Sequence, residues 1–193
     1  MLFRSWGLRD VYHSNGYINE APLRELCRYL DAANVDLKGF TDDYYRDMCG
    51  ASLAPVLRSL KVLRDEGVHL EITTLLIPGR NDDPQTLRLM CRWIRRNLGP
   101  DVPLHFSRFH PQYRLTDVPP TPVERLELAR EIAMEEGLEY VYIGNVPGHE
   151  ANSTYCPVCG AAVIRRIGYE VDASGLRWGV CRTCGTALPG LWG

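Results

Sequence analysis

The feature that most restricts how this chain can fold is a repeated change of hydrophobic period. Five β-rich runs, Asp10–His13, Asn34–Lys38, Val68–Ile77, Pro103–Phe109 and Glu139–Gly144, are separated by stretches whose apolar residues recur at three- and four-residue spacing. The first stretch opens at Asn19-Glu20-Ala21-Pro22 and carries Leu23, Leu26, Cys27 and Leu30. A short helix is expected at about 41–48 behind Thr41 as N-cap. A longer one runs from Ser52 to Glu66, with Leu53, Val56, Leu57, Leu60 and Leu63 on one face and Gly67 as its stop. Another carries Leu87, Met90, Cys91, Ile94 and Leu98. Thr121-Pro122-Val123-Glu124 reads as a capping box, with proline at the first helical position of a helix that ends at Gly137. Residues 1–9 read as a short amphipathic piece. Strands alternating with helices predict a parallel sheet with right-handed crossovers. Five strands fall short of a closed eight-stranded barrel. The expected fold is therefore α/β, a partial (βα) barrel or open parallel sheet over about residues 8–145.

In parallel α/β folds, ligands collect beyond the C-terminal strand ends. Those ends are Ser14-Asn15-Gly16, Asp36-Leu37-Lys38, Pro78-Gly79-Arg80-Asn81-Asp82 and His105 to His110. Asp36 and Lys38 are two apart, so on a strand they share a face. Asn15-Gly16 is a tight turn, because that pair accepts positive φ cheaply. Together these ends offer amide, carboxylate, ammonium, guanidinium and imidazole groups, suited to a zwitterionic or sugar-bearing ligand. His13, His69 and His149 read as ordinary surface or core histidines.

The strongest local signal lies at the C-terminal end. Cys156-Pro157-Val158-Cys159-Gly160 and Cys181-Arg182-Thr183-Cys184-Gly185 are matched knuckles. In each, two thiolates can hold one ion while the glycine lets the backbone turn beneath it. Ala162–Arg166 and Leu176–Val180 are expected as hairpin strands between them, with Asp172 to Gly175 as a turn. The expected product is a closed, structural four-cysteine site of zinc-ribbon (rubredoxin-like) type, with zinc ahead of iron. Residues 1–148 and 149–193 then form two domains, joined by a linker over Asn145 to Ser153.

Composition closes off several classes. The chain has 193 residues and a formal charge of −2, so nothing implies nucleic-acid or membrane-surface electrostatics. No apolar run approaches the roughly 20 residues that span a bilayer. Seven cysteines, four of them in Cys-x-x-Cys pairs, fit metal-bound thiolates in a reducing cytoplasm better than a disulfide framework.

Taken jointly, several runs resemble the radical S-adenosylmethionine enzymes. They are Ser14-Asn15-Gly16-Tyr17-Ile18, Asn34-Val35-Asp36-Leu37-Lys38, and Thr73-Thr74-Leu75-Leu76-Ile77-Pro78-Gly79-Arg80-Asn81-Asp82. Two later runs, Pro103 to Pro111 and Tyr140 to Val146, and the Cys-Pro-x-Cys-Gly module extend the resemblance from about Gly7 to Gly190. The closest resemblance is to the AmmeMemoRadiSam system enzymes, relatives of the pyruvate formate-lyase activating enzymes. It implies a truncated radical SAM barrel that binds S-adenosylmethionine beside a [4Fe–4S] cluster and generates a 5′-deoxyadenosyl radical. By position it makes Asp36 and Lys38 contacts to the ribose and carboxylate of that cofactor, with Asn15 on the preceding turn. A histidine contact falls on His110 or His105. It also implies Memo-family and AMMECR-family proteins as partners.

The chain departs from the family at one point. The cluster loop Cys-x-x-x-Cys-x-x-Cys and the Gly-Gly-Glu motif are absent: successive cysteines are 22, 42, 65, 3, 22 and 3 residues apart. The chain is expected to correspond to the C-terminal portion of a longer enzyme, lacking two βα units and inactive alone. Two other classes fit parts of the pattern. A lysine beside an acid at a strand end also describes a Schiff-base aldolase barrel. The ribbon, with Arg165, Arg166, Arg177 and Arg182, also fits a non-enzymatic binding module that contacts a protein or nucleic acid.

Overall fold

The computed structural model describes residues 7–192. The amphipathic piece expected at 1–9 therefore lies, as far as Trp6, outside the described residues. The chain divides into two compact units, one ending at Thr74 and the other beginning at Leu75.

The first unit comprises β1 (Val11–Ser14), α1 (Glu20–Cys27), β2 (Ala32–Asp36), α2 (Asp42–Tyr44), α3 (Leu53–Asp65) and most of β3 (His69–Leu76). β1 pairs parallel to β2 and β2 parallel to β3, with Ser14, Val35 and Ile72 in one row. α3 buries Leu53, Val56, Leu60 and Leu63, as its spacing predicts. Thr41 caps α2 by accepting from the Tyr44 amide at 3.1 Å. The chain then widens into a π turn over Tyr45–Cys49, which ends at left-handed Gly50.

The expected strand at 34–38 lies two residues earlier, at 32–36. The Leu37 amide still reaches the Thr73 carbonyl, but the Lys38 amide turns away and donates to the Tyr45 hydroxyl at 3.2 Å. Lys38 therefore stands just past the strand end.

Gly16, at φ +70°, sits in the turn after β1. A Cβ there would lie 2.9 Å from Val35 Cγ1 and 3.2 Å from Val56 Cγ1. Gly16→Ala meets both left-handed strain and overpacking, and should lower stability by about 2–3 kcal/mol. Urea denaturation checks this: an unchanged midpoint would show that the turn can relax.

The second unit holds α4 (Pro84–Asn97), β4 (Leu104–Arg108), α5 (Val123–Glu135) and β5 (Val141–Gly144). The strands β1 to β5 form one parallel sheet in chain order, so the α/β expectation holds. Asp83 caps α4 by accepting from the Thr86 amide at 2.8 Å. α4 buries Leu87, Met90, Cys91 and Ile94. A carboxylate just past the end of α5 clamps the two helices. Glu136 receives Arg92 Nε and Nη2, both at 3.0 Å, and Arg88 Nη1 at 3.1 Å, while Arg88 Nη2 reaches Glu135 at 2.8 Å. The Arg92 and Arg88 guanidiniums hold the Glu136 carboxyl below its ordinary value.

The capping box at 121–124 does not form. Pro122 takes the N-cap position, and no side chain caps α5. Thr121 is fully buried; its hydroxyl donates to the Leu76 carbonyl at 2.6 Å and accepts from the Phe109 amide at 3.0 Å. A small core of Ile77, Phe109 and Val118 lies in the same loop region.

The C-terminal module contains β6 (Thr154–Tyr155), β7 (Ala162–Ile167), β8 (Glu170–Asp172), β9 (Leu176–Arg177) and β10 (Val180–Cys181). The hairpin expected between 162–166 and 176–180 is not the one made. β7 pairs with β6 and β8, and β9 pairs with β10. Gly168 (φ +59°) and Gly179 (φ +75°) each allow a tight reversal, and so split one expected hairpin into two. Tyr140, Cys156, Val163, Ile164, Leu176, Cys181 and Leu188 form the core of this module, with Tyr142 packed against it.

Candidate functional site

In a parallel sheet, register partners point to the same face. One row across the first three strands is His13, Asn34 and Glu71, and the next is Asp36 and Thr73. The opposite face of β2 and β3 buries Ala33, Val35, Leu70 and Ile72. A parallel strand covered on both faces reads as nearly continuous apolar sequence. Here one face of the first unit instead carries imidazole, amide, carboxylate and hydroxyl groups.

These groups are tied to one another. The Thr73 hydroxyl donates to Asn34 Oδ1 at 3.0 Å, and His69 Nε2 lies 3.6 Å from the Glu71 carboxylate. Asp36 is engaged through both oxygens: Lys38 Nζ donates to Oδ2 at 2.8 Å, and His13 Nε2 lies 3.4 Å from Oδ1. The Asp36 and Lys38 side chains are 25% and 43% exposed, so the pair contributes little to stability and chiefly fixes orientation. Beneath it, the buried Tyr45 phenol accepts the Lys38 amide, and burial pushes that phenol well above its ordinary pKa. Asn15 is exposed; its Oδ1 accepts from the Tyr17 amide at 3.0 Å and so shapes the turn.

Sequence reasoning missed Asn34, Glu71 and Thr73, and set His13 aside. The available signal was alternation: His69, Glu71 and Thr73 are polar at every second position of the longest β run.

In the second unit the expected site residues separate. His105 is the second residue of β4; its ring stacks on Tyr142 at 4.8 Å and 18°, with the Arg166 guanidinium 5.7 Å from the Tyr142 centroid. His110 is exposed, two residues beyond the end of β4. Asn81, from the loop expected at the mouth, is buried instead. It accepts from the Ile77 amide at 2.7 Å and donates to the Leu75 carbonyl at 2.9 Å, so its amide braces the loop.

The four knuckle cysteines converge. Their sulfurs all lie within 4.8 Å of one another, with Cys156 to Cys184 at 3.6 Å and Cys159 to Cys181 at 3.8 Å. Four sulfurs at about 2.3 Å around one tetrahedral ion would stand about 3.8 Å apart. The donor set therefore fits a single closed ion. The two knuckles repeat one pattern: the Gly160 amide donates to the Cys156 carbonyl, and the Gly185 amide to the Cys181 carbonyl, each at 2.9 Å. The Thr186 hydroxyl and amide hold the Cys184 thiol down at about 6.

The other cysteines fit a cluster poorly. Cys27 and Cys91 are buried in helices, and Cys49 closes the π turn. Burial pushes all three thiols up, Cys91 to about 12, away from the thiolate a metal needs. Among the described residues, the knuckle cysteines are the set of histidine, cysteine and acidic ligands gathered closely enough to hold an ion. Among them too, no helix is long and apolar enough to cross a membrane.

Comparison with known proteins places part of this chain beside a family. Residues 4–90 match the Radical SAM superfamily. The matched residues include β1 to β3 and their polar face. An uncharacterized protein of Methanocaldococcus jannaschii is 48% identical over 192 residues, covering 97% of this chain and 56% of its own length. Pyruvate formate-lyase 1-activating enzyme of Escherichia coli K12 is 22% identical over 149 residues, covering 70% of this chain and 60% of its own. The chain thus spans little more than half the length of these two relatives. A crystallised domain of pyruvate-formate lyase-activating enzyme from Bacteroides vulgatus shares the fold, with a TM-score of 0.65 and 16% identity over 74% of this chain and 84% of that one.

Proposed function

We propose that this chain belongs to a radical S-adenosylmethionine enzyme of the AmmeMemoRadiSam type, akin to the activating enzymes. Residues 1–148 would be its partial barrel and 149–193 a zinc ribbon. The observation that carries this reading is Asp36 at the end of β2, held by Lys38 on one oxygen and His13 on the other, within a segment that matches the superfamily. In this reading Asp36 accepts from ribose hydroxyls, and the Lys38 ammonium meets the methionyl carboxylate. Asn15 sets the neighbouring turn. Of the two histidines proposed to touch the cofactor, His110 is favoured because it lies past a strand's C-terminal end, whereas His105 is stacked on Tyr142.

S-adenosylmethionine supplies a sulfonium whose carbon–sulfur bond breaks on one-electron reduction. The usual electron source, a [4Fe–4S] cluster on three cysteines, does not fit the cysteines of this chain. Zinc, ahead of iron, is proposed for the knuckles. Memo- and AMMECR-family partners and a cytoplasmic location are proposed on the same resemblance.

The purified chain is expected to bind S-adenosylmethionine yet release no 5′-deoxyadenosine with a strong reductant. Asp36→Ala should weaken binding about tenfold, the loss of one charge-assisted contact. Calorimetry and product chromatography check both halves. Equal affinity in the variant would remove the strand end from the site, and 5′-deoxyadenosine would show that the chain builds a cluster. An aldolase reading gains nothing from the structure: the Lys38 amine is partly exposed and engaged by Asp36, unlike a desolvated Schiff-base lysine.

A further inference from the structure

The ribbon displays a tip that metal binding does not explain. β9 and β10 are joined by the two residues Trp178 and Gly179, at φ +52° and +75°. Positive φ at both positions is the turn that favours Asn-Gly. A bulky side chain at the first position is an outlier. Packing does not compensate for it, since Trp178 is 78% exposed. The second position is fixed from below. A Cβ on Gly179 would lie 2.2 Å from the Trp192 ring, the Leu188 amide donates to the Gly179 carbonyl at 2.8 Å, and Trp192 Nε1 donates to the Leu188 carbonyl at 3.1 Å. The turn is therefore rigid, and it holds a large apolar side chain in water.

Charge surrounds that side chain. Arg177, Trp178, Val180, Cys181 and Arg182 line an open groove of about 540 Å³. Arg182 is oriented by its Nε bond to the Leu176 carbonyl at 3.2 Å. Among the described residues no carboxylate pairs with Arg177 or Arg182. Tryptophan and arginine are the side chains that most often carry binding energy at interfaces, and a rigid display lowers the ordering penalty of association.

We propose that this hairpin tip docks an acidic peptide segment of a partner protein, Trp178 taking an apolar side chain while Arg177 and Arg182 pair with carboxylates. Single-stranded nucleic acid is disfavoured because it needs a basic track. Residues 149–193 carry four arginines against three acids, and Arg166 is occupied by the Asn152 carbonyl and the Thr154 hydroxyl.

The test uses the whole zinc-loaded chain and two fluorescent probes, a short peptide of alternating glutamate and leucine and an oligothymidylate of equal length, read by anisotropy. The peptide is expected to bind saturably with Kd between micromolar and about 1 mM, weakening with salt. Trp178→Asn installs the residue this turn prefers. It should keep or raise the melting temperature while weakening peptide binding about tenfold or more. Arg177→Gln should weaken binding and flatten its salt dependence. Three results overturn the proposal: no saturable peptide binding, undiminished binding by Trp178→Asn, or tighter binding of the oligothymidylate.

Discussion

Cys181→Ser is expected to abolish metal uptake and unfold the segment that carries β6 to β10. Wild-type protein should carry about one tetrahedrally bound ion per chain, and the variant close to none. The reason is the size of the core. In residues 149–192 the buried apolar side chains are few, and two of them, Cys156 and Cys181, are themselves knuckle cysteines. Much of the rest, including Val158, Ile167, Tyr169 and Val171, faces water. A core that small does not offset the chain entropy of folding on its own. Structural zinc contributes about 10–16 kcal/mol of apparent binding free energy, and that free energy is folding free energy. Hydrogen exchange should show the β7 amides losing their protection in Cys181→Ser, with β5 loosening too, because Tyr140 and Tyr142 pack against the same core. Chelation of the wild type should give the same pattern. A variant that keeps both the ion and the protection would show that the fold does not depend on the metal.

Thr121→Val should destabilise the second unit by about 2–3 kcal/mol, because it strands the buried Leu76 carbonyl and Phe109 amide together. Loss of a helix cap alone would cost about 1 kcal/mol. The magnitude therefore separates the two roles of this threonine. Thr121→Ser keeps the hydroxyl and should stay within about 1 kcal/mol of wild type, the loss of one buried methyl. Denaturant melts of the three proteins decide it. Equal small losses in both variants would return Thr121 to a capping role.

Thr121 also shows where sequence reading stops. Its local pattern was a good capping box, yet its partners sit 12 and 45 residues away. Elements specified by their own spacing were legible: the five strands, the α3 and α4 faces with Leu60, Leu63, Met90 and Ile94, and the convergence of four cysteines. Features fixed by a distant partner were not. The strand bearing Asp36 stops early because the Tyr45 hydroxyl, delivered by a π turn, takes the Lys38 amide. Asn81 looked like a ligand and is a brace, since two backbone groups claim its amide. In the ribbon the strand at 162–166 was legible, but the one expected at 176–180 is broken by the turn at Trp178-Gly179 and the strand at 170–172 was not foreseen, because Gly168 and Gly179 set reversals that hydrophobicity alone does not mark. The polar face of Asn34, Glu71 and Thr73 needed the register of three strands before it became a face at all.

The arginine–glutamate clamp between α4 and α5 bears on heat. Charged side chains are hydrated with a large loss of entropy, so the penalty for drawing them out of water shrinks as temperature rises, while the gain from apolar burial levels off. Glu136 is shared by two guanidiniums, one of them bidentate, and so belongs to a network and not to an isolated pair. The joint between these two helices should therefore be among the last parts of the second unit to give way on warming.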